Sequence, residues 1–237
     1  MFTATTFYRI CIGLMGAVSV RGDCLIEPDK DGSVVIPDGT ETITPGAFKF
    51  CLLLKVVIPA SVKKIGREAF SDAVNLKEVF FHEGSNLKDI DYAAFYGCSS
   101  LEKFDFPNSL KKIGKSAFLA SGLKKALFFN NGIGVIGNDA FSSCKSLKKI
   151  KFPRSLRRIE ARAFSDSGLE EVYFRNGINH DRRLQNIGYR AFRGTENLKT
   201  INIPTGVDIA KKAFEGTGCN ADMFVPGATI VDCSLGE

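Results

Sequence analysis

The chain has 237 residues, 44% hydrophobic and 24% charged, with a formal net charge of +6; this excludes a disulfide-stapled miniprotein, global disorder and a multi-span membrane protein. It carries 20 Phe against 5 Tyr and no Trp, as if one residue type were needed repeatedly in one environment. Two His in the whole chain leave little for imidazole metal binding or proton shuttling, so composition leans away from an enzyme.

Residues 1–22 read as a secretory signal peptide: Arg9, an apolar stretch from Ile10 to Val20, then small residues suited to cleavage after Ser19 or Gly22. No other stretch approaches the ~18 consecutive apolar residues that span a bilayer, so no transmembrane segment is expected in the mature chain. Residues 23–42 read as an N-terminal cap, in which Val34-Val-Ile-Pro37 mimics a strand end and Asp29-Lys-Asp-Gly32 a turn.

From 43 to 215 the chain repeats. Ala-Phe recurs eight times, with Phe at 48, 70, 95, 118, 141, 164, 192 and 214, in steps of 22, 25, 23, 23, 23, 28 and 22 residues. Five residues before each Phe stands an Ile: Ile43, Ile65, Ile90, Ile113, Ile136, Ile159, Ile187 and Ile209. After each Phe comes a small or Cys position and then an alternating apolar run, as in Leu147-Lys-Lys-Ile150-Lys-Phe152-Pro153. Such a run predicts a strand with one buried face, closed at Pro59, Pro107, Pro153 and Pro204 because proline lacks the amide a continuing ladder would use. One unit cannot bury its apolar side chains alone, so the units must stack, with the Phe side chains as a spine.

The run from Leu147 to Phe164, Leu-x-x-Ile-x-Phe-Pro-x-Ser-Leu-x-x-Ile-x-x-x-Ala-Phe, resembles the BspA-like subclass of leucine-rich repeats, and the likeness extends from about Val34 to Phe214. The resemblance implies an α/β solenoid, a curved array of about eight repeats with a strand sheet on one side and short helical or 3₁₀ turns on the other. It also implies a secreted or surface protein, some relatives being adhesins that bind matrix or partner proteins. The 28-residue repeat between Phe164 and Phe192 departs from the pattern. Residues 216–237 are left as a C-terminal cap.

Of the seven Cys, Cys11 would leave with the signal. Cys98 and Cys144, in equivalent sites two repeats apart, should sit roughly 9–10 Å from each other, too far for a disulfide. They and Cys51 read as buried free thiols. Cys219 and Cys233 are the best candidates for a disulfide in an oxidising compartment, and Cys24 is free or reaches Cys51.

Inward positions are consumed by packing, so function must come from outward ones. The residue between the last two apolar positions of successive strands is Val57, Phe80, Asp105, Leu127, Lys151, Tyr173 and Asn202. Beside it run Lys55, Glu78, Lys103, Lys125, Lys149, Glu171 and Thr200. Phe80, Leu127 and Tyr173 are the candidate ligand anchors. From Asn108 to Ser165 there are 13 Lys or Arg against Asp139 and Glu160, so 13 − 2 = +11. Lys63-Lys64, Lys111-Lys112 and Arg157-Arg158 fall into one basic stripe. Lys124, Lys125, Lys148, Lys149 and, beside them, Lys151 form another, able to attract sulfated or acidic glycans or acidic protein surfaces.

Gly132-Ile-Gly-Val-Ile-Gly137 matches the dinucleotide fingerprint in letters but lies in phase with the repeat and lacks a surrounding βαβ unit. Neither His82 nor His180 has a nucleophile in a recognisable arrangement. No metal site, cofactor or nucleic-acid module is visible. The reading is a non-catalytic, secreted binding or adhesion module for a protein or anionic glycan; the alternative is an intracellular repeat scaffold.

Overall fold

The computed structural model describes residues 24–128, 132–174, 184–204 and 206–218. They wind into a β-solenoid of about seven turns, in which every strand pairing is parallel. Each coil supplies one strand to each of two walls. On the first, Ser33–Val35, Lys55–Ile58, Glu78–Phe81 and Lys103–Phe104 form one four-stranded sheet, and Lys125–Leu127, Lys149–Phe152, Glu171–Phe174 and Thr200–Asn202 form another. On the second, two-residue strands from Thr42–Ile43 to Asp208–Ile209 form one eight-stranded ladder, and its Ile column is that of the repeat.

The register follows the repeat. Val57 pairs with Phe80, and Leu127, Lys151, Tyr173 and Asn202 form one row; Asp105 lies just past its strand. Asp29 Oδ1 accepts the N–H groups of Asp31 and Ser33, which turns the chain into strand Ser33–Val35 and aligns Val35 with Val57. The strands end at Ile58 and Phe152, immediately before Pro59 and Pro153.

No helix, α or 3₁₀, occurs among the described residues, and the expected helical side of the array is instead a third hydrogen-bonded wall. In each of the eight Ala-Phe turns, the residue before Ala and the second after Phe sit at φ between +51° and +68°, from Gly46 and Phe50 to Lys212 and Gly216. A left-handed residue breaks a right-handed helix, at a cost of roughly 1–2 kcal/mol for a residue with a side chain. It also swings alternate amides out of the turn. The N–H groups of Gly46, Phe48 and Phe50 donate to Arg67, Ala69 and Ser71 of the next coil, while those of Ala47 and Lys49 bond three residues back. Cross-coil bonds thus hold a backbone that would be strained in isolation.

The core lies between these walls. The eight spine rings from Phe48 to Phe214 are all fully buried and form an unbroken stack, with centroids 5.0–5.3 Å apart and planes within 11°. That spacing matches the ~4.8 Å between paired strands, so one Phe per coil fills the stack without gaps. Phe104, Phe106, Phe128 and Phe152 close on its flank from the strand side.

Cys98 and Cys144 are buried free thiols, as expected; their Sγ–H groups donate to the carbonyls of Phe70 and Phe118, each at 3.0 Å. Cys51 is not the expected free thiol, and the alternative that Cys24 reaches it holds. It is bonded to Cys24 with the Cα atoms 5.7 Å apart, because the chain entering from Cys24 lies along the first coil, where the Leu25 N–H donates to Ala47. The proposed Cys219–Cys233 pair lies outside the described residues. Burial pushes the Cys144 thiol up to about 11 and raises that of Cys98 further, so neither offers a thiolate near neutrality. Iodoacetamide at about pH 8 should leave both unlabelled in the native protein and alkylate both in concentrated guanidinium. A non-reducing digest should yield Cys24 and Cys51 as one linked peptide pair. Labelling of native Cys144, or separate Cys24 and Cys51 peptides, would contradict this packing.

Candidate functional site

The first wall presents its outward residues in straight rows because parallel pairing without slippage puts equivalent positions side by side. In the first sheet the row is Val35, Val57 and Phe80; Val35 is 60% and Phe80 44% exposed. Lys55, on the neighbouring strand, holds its Nζ 4.2 Å from the centroid of the Phe80 ring. In the second sheet Tyr173 is half-buried, with Lys149 and Lys151 at 5.1 and 5.8 Å from its ring centroid. Phe80 and Tyr173 stand four coils apart, roughly 19 Å at ~4.8 Å per coil.

The lysines of this wall are largely engaged. Lys124 pairs with Glu102 at 2.6 Å, Lys148 with Glu170 at 3.1 Å and Lys149 with Glu171, each across one coil. Lys199 also reaches Glu170, and it and Lys148 hold that carboxyl below the usual carboxylate range. Lys149 does the same for Glu171. Lys125 is exposed without an ion pair, and Leu127 is placed by its backbone, opposite Lys151. The structure therefore brings Lys125, Lys149, Lys151 and Tyr173 onto adjoining strands, leaves Phe80 on the other sheet, and neutralises much of the charge that sequence counting assigns to this face.

The other basic stripe is interleaved. Lys64, Asp89, Lys112, Val135, Arg158 and Asn186 are successive members of one row of the short-strand ladder, so its basic pairs lie on alternate coils. Lys64 contacts Asp91 at 2.7 Å and Asp89 at 3.8 Å. Val35 of the candidate surface was legible in principle: Val34-Val-Ile-Pro37 aligns with Val56-Val-Ile-Pro59, which extends the outward row by one coil.

Gly132 to Gly137 forms a turn and the two-residue strand Val135–Ile136 of the ladder, with no helix after it. Among the described residues no group of three or more His, Cys, Asp or Glu could hold a metal ion. No helix there is long and apolar enough to cross a membrane.

A family model described as a BspA type leucine rich repeat region (6 copies) matches residues 30–131, 75–180 and 125–221. Among solved structures, the chain is similar to a leucine-rich repeat protein of T. pallidum at 30% identity, covering 66% of this chain and 79% of that one, with a TM-score of 0.52. It also matches a leucine-rich repeat protein from Bacteroides ovatus ATCC 8483 at 24% identity, over 75% of this chain and 59% of that one, TM-score 0.47. The pneumococcal vaccine antigen PcpA matches at 18% identity, over 90% and 78%, TM-score 0.38. No curated protein matches the chain.

Proposed function

The chain belongs to the BspA-type leucine-rich repeat family, and from that premise we propose that it is an exported, non-catalytic binding module that recognises a protein ligand with the outward face of its long-strand wall. The observation that carries this reading is the row Val35, Val57 and Phe80, with Lys55 seated over the aromatic ring. Exposed aromatic and apolar side chains beside a cation are the usual chemistry of interface anchors. Here they stand on a hydrogen-bonded sheet, so little ordering cost falls due on binding. Tyr173, flanked by Lys149 and Lys151, repeats the same pairing farther along the array. The Cys24–Cys51 disulfide supports an oxidising destination, in keeping with the signal-like residues 1–22, which lie outside the described residues.

The test is solid-phase binding to fibronectin, laminin and fibrinogen. Saturable binding to at least one is expected, weakened at least roughly tenfold by Phe80→Ala with Tyr173→Ala, since anchor truncations cost about 1–2 kcal/mol or more each. The melting temperature should hold, because neither side chain belongs to the spine. Binding to none of the three, or binding indifferent to the double substitution, would overturn the reading.

A further inference from the structure

We propose that the short-strand wall carries a second binding site, a column of cations of which all but Lys63 are unpaired, that takes a linear sulfated glycan. The site lies off the face assigned to protein recognition and stands independently of it. Its backbone is a chain of coil-to-coil hydrogen bonds: the Lys88 N–H donates to Lys63, Lys111 to Lys88, Gly134 to Lys111 and Arg157 to Gly134, at 2.8–3.0 Å. The five positions are thus stacked on successive coils, roughly 19 Å from Lys63 to Arg157 at ~4.8 Å per step.

What separates this column from the lysines of the long-strand wall is the fate of the acids around it. Glu41 is engaged by Lys63, Asp89 and Asp91 by Lys64, and Glu160 by Arg158. Lys88, Lys111, Lys112 and Arg157 are exposed and make no ion pair, and Lys115, farther round the coil of Lys111, is likewise exposed and unpaired. Lys88, Lys111, Lys112, Lys115 and Arg157 therefore stand together on this wall without an ion-paired acid, while on the long-strand wall Lys124, Lys148 and Lys149 are paired. Aligned charges reinforce one another's field, which a rigid array holds in register.

The shape of the column selects the ligand. A single row of cations at coil spacing complements a linear polymer bearing an anion along its length, whereas an acidic protein presents carboxylates over a broad patch. From Glu41 to Gln185 the column holds no aromatic side chain on which nucleic-acid bases would stack. Gly134 interrupts the row without obstructing it: a Cβ built there meets nothing within 4 Å.

That gap gives a test that gains as well as loses function. The full chain is applied to immobilised heparin and, separately, to a sulfonate cation exchanger, and eluted with salt. The native protein should leave heparin at higher salt than the exchanger. Replacing Lys88, Lys111, Lys112 and Arg157 with Ser should weaken binding to a heparin oligosaccharide by roughly tenfold or more, from exposed charges contributing a few-fold each. Lys124→Ser with Lys148→Ser and Lys149→Ser should change it little, because those charges are already paired. Gly134→Lys, which completes the row in open space, should raise the eluting salt above that of the native protein. Elution at the same salt from both columns, loss of retention with the long-strand variant instead, or no gain from Gly134→Lys would each overturn the proposal. Tighter binding to duplex DNA than to heparin would overturn it in favour of a nucleic-acid site.

Discussion

Phe118→Ala should lower the unfolding free energy by about 3–5 kcal/mol, the range for truncating a fully buried Phe. Phe118 is fully buried and stacks between Phe95 and Phe141 at 5.1 and 5.2 Å. It also meets Phe104 and Phe106 edge-on at 5.0 and 5.5 Å. The hole cannot collapse readily, because the Ala-Phe turns and the short-strand ladder hold the adjoining coils at a spacing fixed by hydrogen bonds. In a linear array each coil is stabilised by its two neighbours, so an interior break weakens both interfaces, while Phe48→Ala at the first coil should act more locally. Equilibrium urea unfolding followed by circular dichroism would read the loss, with Phe80→Ala, on an exposed side chain, as the control expected within about 0.5 kcal/mol of the native protein. A loss below about 1 kcal/mol for Phe118→Ala would mean that the stack is not what holds the coils together.

Gly168→Ala and Gly122→Ala should each destabilise by about 1–3 kcal/mol or more, as overpacking against a rigid neighbour does. A Cβ on Gly168 would press on the carbonyl oxygen of Lys145, and one on Gly122 on that of Ser99, both well inside van der Waals contact. Neither oxygen can retreat without parting the coils, since the Gly168 and Gly122 amides are themselves bonded to Cys144 and Cys98 of the coil before, at 3.1 Å. The cause is a length difference. Ser121-Gly-Leu123 and Ser167-Gly-Leu169 bridge in one residue what Cys98-Ser-Ser-Leu101 and Cys144-Lys-Ser-Leu147 bridge in two, so the shorter coils cut the corner against their neighbours. The two sites are two coils apart, and their effects should add. Gly134→Ala is the matched control: with open space around its Cβ it should be neutral or stabilising by about 0.4–1 kcal/mol. Equal stabilities for Gly134→Ala and Gly168→Ala would refute close coil contact at that corner.

The sequence by itself determined the repeat, its phase, the Phe spine, the Ile column and the outward rows of the long-strand wall, because each is a period-two or period-repeat pattern that burial imposes on residue type. It also marked Cys98 and Cys144 as buried free thiols, since stacking distance forbids their pairing with each other and an unpaired Cys is most often buried. It did not reveal that the Ala-Phe segment is a turn rather than a helix. The left-handed positions there are held by residues as different as Glu68, Ser116, Arg162 and Lys212, and the bonds that stabilise them run to the next coil, which no local propensity encodes. The sequence left the Cys24–Cys51 bond as one of two alternatives for Cys24, because the choice depends on how the entering chain lies along the first coil. The candidate surfaces divided in the same way. Phe80, Tyr173 and the lysine count were readable, but which lysines carry free charge was decided by tertiary structure, since Glu102, Glu170 and Glu171 reach across one coil to neutralise Lys124, Lys148 and Lys149. An ion pair between residues some 22 apart in the chain is set by coil-to-coil register, and only the folded stack fixes that register.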